Sequence, residues 1–472
     1  MAGLDPIKFG TSGWRARMAD TYTFANVRRL TRAIADHLKE TGEAAHGVVV
    51  GYDTRFLSED FAAAAAGTLA QAGVRSRLAV AAVPTPTVAH AVLHHHAAAG
   101  ITITASHNPA PDNGLKLSGP TGGPALPEVT KAVESRVASL GDPGGMPISE
   151  ARTVGFVEPA DFAPAYLDQC RRMIDLDALR RSRLRVVVDV MYGPALGYLD
   201  RLLREAGCEV TLLHGTRDVM FGNHPPEPAE EHLGELIRTV REQGAHLGLA
   251  TDGDADRFGV VDRDGTVLAP NPILALVLRH LLGHRHWRGG VGRSVATTHL
   301  LDALASRHGV ELHETPVGFK YLGDLITQGR AMFGGEESGG MSLKGHPPEK
   351  DGILACLLAA EVAAVEGLAL GAVLERLYGE VGRLVSVRVN VPLSDAVRKA
   401  LPARIADPPK TLGGRAVKRV QTTDGLKLHL DGGAWVLVRP SGTEPVARLY
   451  VEAADDATLG ALRDAALRHF FA

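Results

Sequence analysis

HLGLATDGDADRFGVV, residues 246–261, is two short apolar runs with a charged loop between them. His246–Ala250 and Phe258–Val261 each read as a buried strand, and the loop sits at the C-terminal end of the first. Open α/β sheets bind ligands at that end. Working outward, Leu233, Leu236, Ile237 and Val240 fall at i, i+3, i+4 and i+7, one face of a helix. Val186–Val190 is fully apolar and Glu209–Leu213 is its expected neighbour. Strands alternating with helices predict a parallel sheet covered on its faces.

The same alternation runs toward both ends. Val48–Gly51, Leu78–Val83 and Ile101–Thr104 are strand-like, and Ser58 is expected to cap an alanine-rich helix that Gly73 stops. A glycine- and proline-rich stretch at 141–147 precedes a boundary. Beyond 265 the pattern repeats with helix Ile273–Leu282, strand Ser294–Thr297, helix Leu300–His308 and strand Val310–His313. The last unit differs. Val385, Val387, Val389 and Val391 alternate with polar residues, as in a strand wet on one face. Strands Gly425–Leu430 and Ala434–Val438 and a helix bearing Leu459, Leu462, Ala466 and Phe470 complete an α+β unit. The expected domains are 1–152, 153–264, 265–380 and 381–472.

At 472 residues the chain exceeds one core, given about 100–200 residues per domain. Its 51 basic and 54 acidic residues give a net charge of −3, so no global field points to nucleic acid or an anionic membrane. Three scattered cysteines form neither a disulfide framework nor a zinc site. No run of about 18 apolar residues and no leader-like start occurs, which predicts a cytoplasmic protein without a membrane partner.

Four polar loops follow apolar segments. In Thr104-Ala105-Ser106-His107-Asn108-Pro109, continued by Asp112-Asn113-Gly114-Leu115-Lys116, turn residues hold Ser106 at a strand end. A serine needs a base to become a nucleophile, and His107 and Lys116 are candidates; a tight turn capped by Ser106 is the plain alternative. In Asp252-Gly253-Asp254-Ala255-Asp256-Arg257, alternating carboxylates repel one another unless a hard cation joins them. An EF-hand is excluded, because its sixth and twelfth positions are Arg257 and Arg263 rather than glycine and glutamate; Mg²⁺ suits three carboxylates better. Gly334-Gly335-Glu336-Glu337-Ser338-Gly339-Gly340 offers short acceptors for sugar hydroxyls, or is a surface loop. Arg439-Pro440-Ser441-Gly442-Thr443 combines a guanidinium fork, hydroxyls and open N–H groups, the parts of a phosphate cradle, or an ordinary turn. His94-His95-His96 reads as a solvated helix end.

These loops, in this order and together with Gly10-Thr11-Ser12-Gly13-Trp14-Arg15, resemble the α-D-phosphohexomutase superfamily over nearly the whole chain. The resemblance implies three related α/β domains with mixed sheets and a C-terminal α+β domain around a central cleft. It implies a phosphoserine at Ser106, with Mg²⁺ held by Asp252, Asp254, Asp256 and the Ser106 phosphate. His107 and Lys116 match positions used for acid/base work and phosphate contact, and Arg15 and Arg257 line the same centre. Glu336 and Ser338 match a sugar-binding pair, and Lys320 belongs to the sugar-reading loop Thr315–Lys320. Arg439, Ser441, Gly442 and Thr443 match the loop for the non-reacting phosphate. The implied reaction interconverts hexose 1- and 6-phosphates through a hexose 1,6-bisphosphate. The Thr315–Lys320 loop favours glucose, with mannose possible, whereas Gly340 stands where many dual-specificity relatives carry histidine.

Two other readings use the same residues. A haloacid-dehalogenase-type sugar phosphatase would employ Asp252 as nucleophile, but Asp256 stands where that pattern wants a hydroxyl residue. A non-catalytic sugar-phosphate sensor would not need Ser106, three aspartates and Lys116 together.

Overall fold

The computed structural model describes residues 7–10, 12–441 and 446–472. Its first sheet is built from β1 (Trp14–Arg17), β2 (Val48–Tyr52), β3 (Ser76–Ala79), β4 (Ala99–Ile103), β5 (Asp112–Ser118) and β6 (Val157–Ala160). The order is β1-β5-β4-β2-β3-β6, in which β4, β2, β3 and β6 are parallel and β5 runs antiparallel to both its neighbours, β4 and β1. The Val48-Val49-Val50 run is buried on both faces, as a central parallel strand requires. The sheet does not stop at residue 152, because β6 lies beside β3.

The second sheet contains β7 (Arg185–Asp189), β8 (Glu209–Leu213), β9 (Leu247–Thr251), β10 (Phe258–Asp262) and β11 (Val267–Leu268), in the order β11-β10-β9-β7-β8. The third holds β12 (Gly290–Ser294), β13 (Leu312–Thr315), β14 (Ala331–Glu336) and β15 (Gly340–Leu343), in the order β13-β12-β14-β15. All three sheets share one device. A parallel strand ends in a loop and returns antiparallel beside itself: β4 to β5, β9 to β10, β14 to β15. Those turns carry Ser106 and the three aspartates, and Glu336 ends β14.

The second and third domains do not have separate cores. One continuous apolar cluster runs from Tyr166 through Leu249 and Leu278 to Leu377. Helix Gly352–Glu366 lies at its centre, buried around its circumference from Ile353 to Val362. No single described helix is long and apolar enough to cross a membrane.

The last domain is an antiparallel sheet of β16 (Val385–Pro392), β17 (Thr411–Leu412), β18 (Arg415–Gln421), β19 (Leu426–Leu430), β20 (Trp435–Pro440) and β21 (Val446–Ala453). Its order is β16-β21-β20-β19-β18-β17. Helix Asp456–Phe471 covers one face with Leu462, Ala466 and Phe470. β16 alternates between half-buried and exposed residues, the half-wet strand expected from its valines.

Ser58 is not a helix cap. It is the first residue of helix Ser58–Gln71, preceded by Leu57 in a left-handed conformation. Its hydroxyl donates to Asp53 Oδ1 at 2.7 Å instead, because that buried carboxylate is the stronger acceptor.

Candidate active site

β4 delivers Thr104 and Ser106 to the sheet end. Ser106 adopts φ +54°, uncommon for a residue with a Cβ, and its N–H is donated to Thr104 Oγ1 at 2.8 Å. The conformation is enforced from below by Arg55. Its guanidinium donates to four backbone carbonyls of the loop: Ser106 at 2.6 Å, Asn108 at 2.6 Å, Pro109 at 2.9 Å and Asp112 at 3.1 Å. Asp53, 3.2 Å from the Arg55 Nε, balances the buried charge. Arg15 Nη1 donates to Asn108 Oδ1 at 2.7 Å and so stands over the same loop.

The loop after β9 meets Ser106 directly. The Ser106 hydroxyl donates to Asp252 Oδ2 at 2.9 Å, and His107 Nδ1 lies 3.3 Å from the same hydroxyl oxygen. Gly253 makes the approach possible, since a Cβ there would lie 2.5 Å from the Ser106 carbonyl oxygen. Asp252 Oδ1 accepts the N–H groups of Asp256 and Arg257, which ties the loop into a compact ring.

Asp252, Asp254 and Asp256 are all buried, with one oxygen of each within 4.8 Å of the others. Lys116 Nζ bridges Asp254 Oδ2 and Asp256 Oδ2 at 2.5 Å each, and Lys350 Nζ reaches Asp256 Oδ2 at 2.8 Å. Asp254 Oδ1 and Asp256 Oδ1 remain buried without a hydrogen-bond partner. Unpartnered buried carboxylate oxygens are costly, and three converging carboxylates suit a hard divalent cation, so the residues present fit Mg²⁺. Burial and the neighbouring Asp254 and Asp256 charges push the Asp252 carboxyl well above its ordinary range. Burial acts the same way on Asp256, but Lys116, Lys350 and Arg257 outweigh it and hold that carboxyl well below. Burial, with Arg257 and Arg15 nearby, depresses the His107 imidazole far below its usual value, so it is neutral.

These groups open into a cavity of about 370 Å³ where all four domains meet. Arg15, Ser106, His107, Asp256, Arg257, Glu336 and Ser338 line it, together with Arg439 of the last domain. Glu336 Oε1 accepts the Gly318 N–H at 2.7 Å, which fixes the carboxyl at the end of β14. Burial and the adjacent Glu337 raise its pKa to about 7. Arg439 is held by Asp424 at 2.8 Å. Ser441 follows β20 with its N–H donated to the Val446 carbonyl, whereas Gly442 and Thr443 lie outside the described residues.

Lys320 departs from expectation. It is not part of the cavity wall; its ammonium lies 5.2 Å from the Tyr321 ring, in the electrostatic neighbourhood of Glu128 and Lys131. Phe319, the first residue of helix Phe319–Thr327, faces the cavity, and the next helical position is rotated by about 100°.

Several site residues escaped the sequence reading. Arg55 follows β2 in a Tyr-Asp-Thr-Arg turn that carries no motif by itself. Thr85 donates to Asp254 Oδ2 across the domain boundary. Arg388 and Arg448 add cationic groups to the cavity from one shared face of the paired strands β16 and β21. Lys350 lies in Glu349-Lys350-Asp351-Gly352, a polar tetrad that reads as the cap of the apolar helix behind it.

The sequence matches the phosphoglucomutase/phosphomannomutase family over four successive domains: alpha/beta/alpha domain I at residues 6–142, domain II at 164–265, domain III at 269–381 and the C-terminal domain at 359–469. A protein of Methanothermobacter thermautotrophicus assigned as a phosphoglucosamine mutase is 35% identical over 95% of this chain and 94% of its own. The phosphoglucomutase/phosphomannomutase of Thermococcus kodakarensis is 32% identical over 94% of both chains. A crystal structure from Thermus thermophilus, assigned as a phosphomannomutase, superposes with a TM-score of 0.85 at 35% identity and covers 98% of this chain and 99% of that one.

Proposed function

The chain belongs to the phosphoglucomutase/phosphomannomutase family of phosphotransferase mutases, and from that premise we propose that it interconverts hexose 1-phosphate and hexose 6-phosphate through phospho-Ser106. The observation that carries the reading is the 2.9 Å contact between the Ser106 hydroxyl and Asp252 in a cavity shared by all four domains.

Phosphoryl transfer asks little covalent chemistry of a protein but requires alignment and charge neutralisation at the moving group. Mg²⁺ held by Asp252, Asp254 and Asp256 supplies part of that neutralisation when bound. Arg15 and Arg257 on the cavity wall and Lys116, bonded to Asp254 and Asp256, supply the rest. In the first half-reaction the bond between phosphorus and Ser106 Oγ breaks and a bond to a sugar hydroxyl oxygen forms. The hydroxyl proton leaves the sugar as this happens, and Ser106 Oγ ends protonated. The resulting 1,6-bisphosphate turns within the cavity and returns its other phosphate to Ser106. Glu336 and Ser338 hold ring hydroxyls in either orientation. Arg439, with Arg388 beside it in the same wall, holds whichever phosphate is not reacting.

Glucose phosphate is the favoured substrate on the Thr315–Lys320 loop, with mannose phosphate next. A glucosamine reading has its own support. Glu336 and Glu337 are neighbouring carboxyls on the cavity wall, suited to an amino group, and a 35%-identical relative is assigned to that sugar.

Ser106→Ala is expected to lower turnover by orders of magnitude while sugar phosphates still bind. Bisphosphate-primed assays with glucose, mannose and glucosamine 1-phosphates rank the substrates. Turnover unchanged in Ser106→Ala, or a hydroxylamine-labile phosphate on Asp252 in its place, sinks the proposal.

A further inference from the structure

The cavity wall contains a cation, Lys350, that reaches Asp256 through the space of a missing side chain. Lys350 is 6% exposed, and its Nζ stands 2.8 Å from Asp256 Oδ2 and 3.2 Å from Glu349 Oε1. Its aliphatic stem runs across Gly340 at the start of β15. A Cβ built on Gly340 would lie 2.4 Å from the Lys350 Cδ and 2.7 Å from its Cγ. Gly340 is not in a left-handed conformation, so its backbone has no need of glycine. The lysine stem is what excludes a side chain there.

The base of Lys350 is anchored firmly. The next residue, Asp351, is fully buried and accepts from Tyr166 OH at 2.8 Å and from the Leu354 N–H at 2.8 Å, with His346 Nε2 at 2.7 Å. The Asp351 N–H is donated to the Met341 carbonyl and the Gly352 N–H to the Ala255 carbonyl, both at 3.0 Å. The segment bearing Lys350 is thus bonded to β15 on one side and to the aspartate loop on the other. Only the end of the side chain is free to choose a partner.

We propose that Lys350 is a positioning residue that occupies Asp256 in place of a divalent ion and yields that carboxylate when the ion binds, with Gly340 as the position that admits it. The inference rests on the phosphohexomutase reading for its purpose, but not for its test. Without an ion, three buried carboxylates face Lys116 and Lys350, and two ammoniums compensate most of their charge. A divalent ion on the unpartnered Asp256 Oδ1 shares one carboxylate with the ammonium on Oδ2, so the two cations repel and each weakens the other's hold. Released from Asp256, the ammonium remains in the cavity wall with Ser106 and Glu336, where it faces the incoming phosphate. Lys350 therefore weakens ion binding and returns its charge to the phosphoryl group.

The test is Mg²⁺ titration by calorimetry on the full-length, dephosphorylated protein, with no sugar present. Lys350→Met is expected to bind Mg²⁺ about tenfold more tightly, the scale of one close opposite charge. Lys350→Arg is expected to stay near wild type. Gly340→Ala pushes the stem aside without touching the charge, so it should also tighten binding. Adding Gly340→Ala to Lys350→Met should then change nothing further. Affinity unchanged or weaker in a folded Lys350→Met protein overturns the proposal, as do Lys350→Arg behaving like methionine or full additivity with Gly340→Ala. Should Lys350→Met fail to fold, Gly340→Ala alone decides: an affinity at or below wild type overturns it. A protein with the expected Mg²⁺ pattern but no mutase turnover would refute the phosphohexomutase reading and leave this one standing.

Discussion

Arg55→Met tests whether the Ser106 loop is held by one guanidinium. The side chain is wholly buried, donates to four carbonyls between Ser106 and Asp112, and pairs with Asp53. Removing one partner of a buried ion pair costs about 3–5 kcal/mol. The four carbonyl bonds do not add in full, because an opened loop regains water and the groups share one network. A loss of about 4 kcal/mol in local opening free energy corresponds to roughly a thousandfold in the opening equilibrium. The perturbation is local to one loop, so hydrogen exchange at the Ser106, Asn108 and Asp112 amides is the assay. Those three N–H groups donate to Thr104 Oγ1 and to the Ala105 and Pro109 carbonyls. Exchange there should accelerate by about three orders of magnitude, while amides in β20 and β21 keep their rates. Turnover should fall by about a hundredfold, the scale of an ångström-sized misplacement. Unchanged exchange with lost turnover would refute the loop-holding argument.

Glu336→Gln should flatten part of the pH dependence of stability. The folded pKa of Glu336 is raised from 4.5 to about 7, so its stabilising contribution is complete below pH 4.5 and lost as pH rises through 7. Wild type should lose about 3 kcal/mol relative to the variant over that window, read from urea titrations at each pH; parallel profiles would show that the carboxyl ionises freely. Lys427 has the opposite sign. Burial, with Arg293 nearby, lowers its pKa from 10.5 to about 7, so its contribution is present above pH 10.5 and lost as pH falls through 7. Lys427→Met should therefore raise the melting temperature relative to wild type more at pH 7 than at pH 10, and a difference independent of pH refutes the assignment.

The parts of the fold legible in the sequence were those whose burial pattern is local. Glu209–Leu213 and Leu300–His308 form where the apolar periodicity places them. Ser294–Thr297 does not form as expected; the strand is Gly290–Ser294. Parallel pairing with β13 and β14 draws in Gly290 and Gly292 against their propensity. The apolar Val295 and Ala296 leave the sheet to pack on Trp435, Leu437 and Tyr450 of the last domain. Their hydrophobicity was real, but its partner lay in another domain, far along the chain. The site divides in the same way. Ser106 and the aspartates announce themselves because their chemistry is crowded into short loops. Arg55 and Lys350 do not, since each works on groups distant in sequence and neither local pattern differs from that of a cap or a turn. Lys320 errs in the other direction, because proximity to the right loop says nothing about which side of a helix a residue takes.

The proposed reaction asks for two incompatible properties, and the molecule separates them in space. The centre that moves the phosphate must be rigid. Its second and third domains share one core, and the first is fastened to the second by the buried Lys116–Asp254 ion pair and the buried Thr85–Asp254 bond, which are costly to break. The wall that must release a turning intermediate is fastened differently. Only a small apolar cluster of Val295, Ala296, Trp435, Leu437 and Tyr450 joins the third domain to the last among the described residues. Around it are individual polar links: Asn271 to Ser386, the Val317 N–H to Asp424, Gln421 to Glu314, the His299 N–H to Glu452 and Lys427 to the Val295 carbonyl. Polar links can be exchanged for water at a net cost of about 1 kcal/mol each, whereas a shared core cannot be opened in parts. A rigid centre with one separable wall satisfies both requirements, and that wall carries Arg388 and Arg439 while the reacting serine does not belong to it.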